Sequence, residues 1–426
     1  MKSFYLFCAA IAASLLLLAG CQKPDTCTQV SKYTIYTPVF MDIADLRKAV
    51  KSEAPHTIQQ PGKIYLLGHY IFLNELNKGI HIIDNSSPAA PKIIAFVNIP
   101  GNVDMAVRGN ILYADSYRDL VTLDISNPAA IKEVKRLEDV FTNRQQLFFT
   151  AAADPNKIVV DYELRDTTMT SNCQTIEMIV MDNAVAYQST KAPSSASMAL
   201  GKGGSMARFA LLGQYLYTVD ITSLSAFDIQ QPLTPVKKSK TEITGGIMGG
   251  GMIETIFPYR TNLFVGGQRG MYIFDASTPE SPAMKGRFEH AQKCDPVVVE
   301  NDLAYITLRA GNTCSPNQES SLMVLDVKDI MAPKLIKSYP MTSPYGLGID
   351  NGNLFVCEGA TGIRFMNADD PAAITQLAQE KGLDAFDVIP HNKILLVTAK
   401  DGLYQYDYSN MLQPKLLSKI NITVKQ

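Results

Sequence analysis

An apolar strand that ends in aspartate, with proline four and seven positions later, recurs along this chain. It runs as Gly79-Ile80-His81-Ile82-Ile83-Asp84 with Pro88 and Pro91, and as Leu120-Val121-Thr122-Leu123-Asp124 with Pro128. It returns at Asp228 with Pro232 and Pro235, and at Asp275 with Pro279 and Pro282. Reduced copies stand at Asp326 with Pro333, Asn367 with Pro371 and Asp407 with Pro414, while Ile179-Val180-Met181-Asp182 keeps strand and acid without either proline. A strand-end Asp or Asn accepts a hydrogen bond from the backbone N–H two residues on and so turns the chain, and proline forbids ladder pairing through the connection.

The eight anchors are separated by 40, 58, 46, 47, 51, 41 and 40 residues, a mean near 46. That period suits one four-stranded propeller blade. Two earlier strands and one later amphipathic strand surround each anchor; around Asp124 these are Val103–Val107, Ile111–Ala114 and Lys132–Leu137. Solenoid repeats are shorter or helical, and no helical period is sustained here. A closed ring also protects its sheet edges. The expectation is an all-β chain forming a single β-propeller of eight blades, with seven as the alternative if the Asp182 unit is degenerate.

The signature resembles the LVIVD repeat of bacterial and archaeal surface proteins, over roughly residues 62–424. The stretch Cys294-Asp295-Pro296-Val297-Val298-Val299, followed by Tyr305-Ile306-Thr307-Leu308-Arg309, is similar to that family's form of the blade. The resemblance implies a propeller and an envelope location, and carries no biochemical activity with it.

Lys2 precedes an apolar run from Phe4 to Leu18 that ends in Leu18-Ala19-Gly20-Cys21. The run is short for a spanning helix and fits a signal-peptide core. Small residues directly before a cysteine resemble a lipoprotein box, which implies cleavage after residue 20 and acylation of Cys21, palmitate being the usual amide-linked chain. Several acyl chains suffice for stable anchorage. Gln rather than Asp at position 22 leaves out the inner-membrane retention cue, so an outer-membrane anchor in the bacterial cell envelope is expected. Residues 21–61 then form a tether and extension before a propeller over 62–426. Within the extension, Tyr33–Phe40 reads as a strand and Asp42–Val50 as a short helix, with Asp42 its cap and Ile43, Leu46 and Val50 inward. These segments would plug one end of the ring or close it.

Charge narrows the partners. With 39 basic against 41 acidic side chains and a formal net charge of −2, the chain has no basic footprint for nucleic acid. At 46% hydrophobic it can form packed cores, and its single long apolar run excludes a polytopic membrane protein.

Propeller topology places the start of each innermost strand, the hairpin between second and third strands, and the blade-to-blade connection on one face. Arg165–Thr175 and Arg309–Ser321 read as such hairpins, and Ser189–Ser205 and Thr244–Met252 as connections, whereas Arg108-Gly109-Asn110 and Asp350-Asn351-Gly352-Asn353 read as tight turns on the opposite face. Elaborated loops carry binding function more often than scaffolds do. On the elaborated face the innermost strands begin at Asp104, Gln145, Glu254, Asp295, Tyr345 and Asp387, with Met206 and Gly62 in the remaining units. Four carboxylates around one channel mouth would favour calcium or magnesium, and Arg309 would pair with Asp295. In the plainer reading each acid hydrogen-bonds loop backbone at its strand start, and there is no cofactor.

Of seven cysteines, Cys8 leaves with the signal and Cys21 is acylated; Cys27, Cys173, Cys294, Cys314 and Cys357 remain. Cys294 and Cys314 fall on the same face of one blade and are the disulfide candidate, closing a loop of about 20 residues for roughly 3 kcal/mol in the chain-entropy model. Cys357, at a strand end, reads as a buried thiol. The five histidines are scattered, with no HExxH and no close pair, and no nucleophile elbow, Walker loop or dinucleotide fingerprint occurs. The leading expectation is an envelope-anchored scaffold that binds a protein, peptide or glycan without turnover. The alternatives are a hydrolase or lyase with a carboxylate site at the channel mouth, or a purely structural envelope component.

Overall fold

The computed structural model describes residues 29–141, 154, 156–171, 179–181, 184–188, 204–244, 252–289, 296–309 and 319–423. The chain divides into two compact units, one of 1–40 with 159–196 and one of 41–158 with 197–426.

The described residues of the larger unit form seven antiparallel sheets, spanning 61–98, 105–137, 209–242, 253–289, 297–340, 347–380 and 385–421, here blades 1 to 7. Strands follow sequence order from the innermost to the outer edge of each blade. Adjacent innermost strands touch around the ring, and that of blade 1 meets the second strand of blade 7. The ring therefore has seven blades, not eight. Blade 2 packs directly on blade 3: Ala106, Tyr113 and Leu120 share a core with Phe209, Leu216 and Phe227. The strands Ile179–Met181 and Ala184–Gln188, which precede and follow the supposed eighth anchor, pair instead in the smaller unit; Asp182 itself lies outside the described residues. The strand-and-acid copy Ile179-Val180-Met181-Asp182 falls between Asp124 and Asp228, which stand 104 positions apart, close to two repeat periods. An insertion about one blade long produces the same interval.

Seven apolar clusters fill the seven junctions between neighbouring blades. Burying a Leu, Ile or Phe side chain contributes about 1.5–3 kcal/mol, so the ring is held chiefly between blades.

The repeat motif has a local and a tertiary role. In every blade the strand-end acid or amide accepts the backbone N–H two residues on: Asp84 from Ser86, Asp124 from Ser126, Asp228 from Gln230, Asp275 from Ser277, Asp326 from Lys328, Asn367 from Asp369 and Asp407 from Ser409, at 2.8–3.0 Å. The Ser86 and Ser409 hydroxyls, with these backbone bonds, hold Asp84 and Asp407 below the ordinary carboxylate pKa, and the backbone bonds chiefly do so for Asp124, Asp228 and Asp275. The proline carbonyl then receives a hydroxyl from the preceding blade: Tyr113 on Pro232, Tyr217 on Pro279, Tyr339 on Pro371 and Ser418 on Pro88, at 2.6–2.9 Å. The ladder between third and outer strands also shifts register just before each anchor, adding local twist. Gly79 and Gly270 open third strands at φ 149° and 153°, where a Cβ would meet the outer-strand carbonyls of Val97 and Phe288.

Residues 51–58 close the ring. Lys51–Glu53 adds a fifth strand to the outer edge of blade 1, Ile58 bridges Ile422 at the end of blade 7, and Thr423 N donates to Ile58 O at 2.8 Å. The expected helix over 42–50 is a single turn, Ile43–Leu46, and Asp42 makes no side-chain cap. Leu46 is buried and Val50 packs on the core between blades 1 and 2.

In the smaller unit the expected strand at 33–40 is longer, Gln29–Asp42, and lies between Lys157–Ser171 and Ala184–Gln188. Thr34 donates to Asp166 at 2.8 Å, and the rings of Tyr36 and Tyr162 meet edge to face. Arg165 thus lies inside a long strand of this sheet, not in a blade hairpin as expected; 172–175 lie outside the described residues.

Candidate functional site at the axial face

The register fixes which turns share a face. On one side all seven hairpins between first and second strands are two-residue turns, from Leu67 to Tyr70 in blade 1 through His391 to Ile394 in blade 7. On the other side each innermost strand begins, and there the chain carries 138–208 between blades 2 and 3, 243–252 between blades 3 and 4, 290–296 between blades 4 and 5, and 309–320 within blade 5. Arg309–Ser321 and Thr244–Met252 thus attach where the sequence places them.

At the axis on this face the short turn Gly204–Met206 lies against the innermost strands of blades 1, 4, 5, 6 and 7. Gly204 has φ 66°, and a Cβ there would stand 2.8 Å from both Asp387 Oδ2 and Val388 O. Ser205 donates its hydroxyl to Asp387 Oδ1 at 3.3 Å and accepts the N–H of Leu347 at 2.9 Å. The expected channel mouth is filled by the chain's own backbone.

Asp104 ties three blades together. Its Oδ2 accepts Lys63 Nζ from blade 1 at 2.6 Å and the N–H groups of Arg208 and Phe209, which lead into blade 3, the latter at 3.0 Å. Its Oδ1 accepts the N–H of Met105 at 2.7 Å. Lys63 and Asp104 are both about 99% buried. The place a cation would take beside this carboxylate is held by the Lys63 ammonium. Asp387 is fully buried, and that burial holds its carboxyl well above the ordinary pKa despite the Lys63 charge. Glu254 is half-buried and accepts from Gln268 at 3.4 Å, while its backbone carbonyl accepts Arg208 Nε at 3.3 Å. The Arg309 guanidinium stacks on the Tyr345 ring at 3.9 Å, and that ring meets Phe386 edge to face. Gln145 and Asp295 lie outside the described residues, so the expected Arg309–Asp295 pair does too.

Of the expected positions, Asp104, Glu254, Tyr345 and Asp387 stand on this face, and Asp104 and Asp387 each work within the fold. Lys63, Ser205 and Arg208 were missed. Lys63 stands one residue beyond the position chosen for its blade, Gly62. Cys357 is buried as expected, and burial raises its thiol pKa. Cys21, Cys27, Cys173, Cys294 and Cys314 lie outside the described residues. Among the described residues no helix is long and apolar enough to cross a membrane.

The fold brings together two histidines that stand 25 positions apart in the chain. The rings of His56 and His81 meet edge to face at 4.8 Å, and His81 Nε2 lies 2.7 Å from Glu75 Oε2.

The fold and its motif define a seven-bladed β-propeller that carries the LVIVD repeat, whose family pattern matches residues 101–139 in blade 2. No curated protein matches the chain. Among solved structures it is similar to the periplasmic gluconolactonase PpgL of Pseudomonas aeruginosa, with TM-score 0.54 and 8% identity over 92% of this chain and 97% of that one. It is also similar to the computationally designed protein Ika8, with TM-score 0.52 and 9% identity over 87% and 91% of the two chains. Sqt1 of Saccharomyces cerevisiae gives TM-score 0.50 and 8% identity over 89% and 87%. At these identities the likeness is one of fold.

Proposed function

We propose that this chain is a lipoprotein of the bacterial envelope, acylated at Cys21 and held at the outer membrane, whose propeller binds a protein, peptide or glycan through its elaborated face without turnover. The observation that carries the reading is the asymmetry of the ring: one face carries only two-residue turns and the seven-residue connections that hold the repeat motif, while the connections that exceed the repeat, 138–208, 243–252 and 309–320, all enter from the other. Rigid scaffolds present binding residues on such loops. The bonding of Asp104 and Asp387 within the fold favours binding over a hydrolase or lyase that would need free carboxylates at the axis. A Cys294–Cys314 disulfide would brace the loop of blade 5 on the same face.

The test is cross-linking and capture from intact envelopes, with the native chain against one in which 245–251, 290–295 and 310–318 are replaced by Gly-Ser. A saturable partner lost with the loops, at unchanged melting temperature, supports the proposal; a partner retained without them refutes it. Radiolabelled palmitate entering the native chain and not Cys21→Ser tests the anchor.

A further inference from the structure

His81 sits on the third strand of blade 1, Glu75 ends its second strand, and His56 lies in the closing segment just beyond Lys51–Glu53. Register brings them together: Glu53 pairs with Phe96 on the outer strand, and Phe96 pairs with His81. The Phe96 ring contacts both imidazoles, with centroids at 4.3 and 4.7 Å. Donor atoms of His56, Glu75 and His81 all lie within 4.8 Å of one another.

Hydrogen bonds set both rings for ligation. His81 is fully buried and its Nε2 lies 2.7 Å from Glu75 Oε2, so both atoms face one space, and a metal that enters it takes the place of the proton between them, the ring's hydrogen moving to Nδ1. His56 gives Nδ1–H to its neighbour Thr57 O at 3.0 Å, which leaves its lone pair on Nε2. Lys78 Nζ, 2.8 Å from Glu75 Oε1 and 3.0 Å from Gln59, occupies the other carboxylate oxygen and leaves Oε2 to the histidine side.

We propose that His56, Glu75 and His81 form a binding site for a borderline divalent transition metal such as Zn²⁺, with one imidazole nitrogen from each histidine, the Glu75 carboxylate as the anionic member, and water in the remaining position. Two nitrogens and an oxygen suit zinc and its neighbours and not calcium or magnesium. Bond lengths of about 2.0–2.1 Å place tetrahedral donors about 3.3 Å apart. His56, exposed on a loop, closes the remaining ångström or so. The bound metal clips the segment leading to Ile58, the residue that bridges Ile422, and so reinforces ring closure.

The test uses the full chain in mild detergent without a polyhistidine tag. Zn²⁺ and Co²⁺ are titrated by equilibrium dialysis, with the Co²⁺ absorption spectrum as a second readout and Mg²⁺ and Ca²⁺ as controls. The proposal expects one Zn²⁺ per chain, a melting temperature raised by Zn²⁺ and not by Mg²⁺, and at least about tenfold weaker binding in His56→Asn, whose metal-free melting matches the native chain. His81→Gln and Glu75→Gln should also lose the metal, and because both residues are buried, His56→Asn decides if they fail to fold. A native chain that binds no stoichiometric Zn²⁺, or a His56→Asn chain that binds it unchanged, overturns the proposal.

Discussion

Replacing Lys63 with methionine keeps most of the side-chain volume and removes the ammonium. Asp104 then loses its charged Oδ2 partner at 2.6 Å while staying about 99% buried, and the second axial carboxyl, Asp387, loses a positive charge that acts on it. Breaking one side of a buried ion pair costs about 3–5 kcal/mol, because the charge left behind is uncompensated. The backbone donors from Met105, Arg208 and Phe209 remain, which places the expected loss near the lower end. At about 2.1 cal/mol/K of unfolding entropy per residue, a cooperative unit of roughly 350 residues loses about 1.4 °C per kcal/mol, so melting should fall by about 4–7 °C. Denaturant unfolding of Lys63→Met, Asp104→Asn and the double variant measures the coupling. The double variant should lose at least about 1 kcal/mol less than the two single losses combined. A Lys63→Met chain within about 1 kcal/mol of the native one would mean the pair behaves as an exposed salt bridge, and would refute the account of Asp104 as the tie between three blades.

Two further predictions concern pH. Asp387 keeps its proton in the folded chain where the unfolded chain has lost it, so rising pH above about 4 favours unfolding through this group. Asp387→Asn should flatten that slope and be at least as stable as the native chain at pH 8; a variant whose slope is unchanged contradicts the assignment. The strand-end acids have the opposite sign: their folded pKa lies below the unfolded value, so their contribution is present above about pH 4 and is lost as pH falls through the folded pKa. Asp275→Asn should keep the turn, as Asn367 does in blade 6, and lose its share of the acid sensitivity, whereas Asp275→Ala should cost about 0.5–1.5 kcal/mol at pH 7 by chemical denaturation.

The turn chemistry of each blade was legible because it is local: an acid and an amide two residues apart need no tertiary information. The proline spacing was legible too, but its hydroxyl partners on the preceding blade were not, since Tyr113 and Pro232 are 119 positions apart. The elaborated face followed from strand order alone. The blade count failed because spacing cannot separate a degenerate blade from an insertion of equal length when Ile179-Val180-Met181 keeps a strand's composition. Only the direct packing of Tyr113 and Phe227 decides it. Asp104 and Asp387 begin their innermost strands as the repeat implies, but their partners Lys63 and Ser205 lie one on another blade and one in a turn outside the regular repeat, which spacing does not encode. His56 and His81 meet only because the closing segment adds to blade 1, and no periodicity in either segment encodes that pairing.

The central structural claim is that blades 2 and 3 are neighbours in the ring. Replacing 142–202 by a Gly-Ser linker of about ten residues, with Gly204–Met206 intact, tests it directly by thermal and denaturant unfolding. The account predicts a single cooperative transition with the ring's stability largely kept, because the core of Tyr113, Phe209 and Phe227 is undisturbed. A chain that loses cooperative unfolding, as a ring deprived of one blade would, contradicts it.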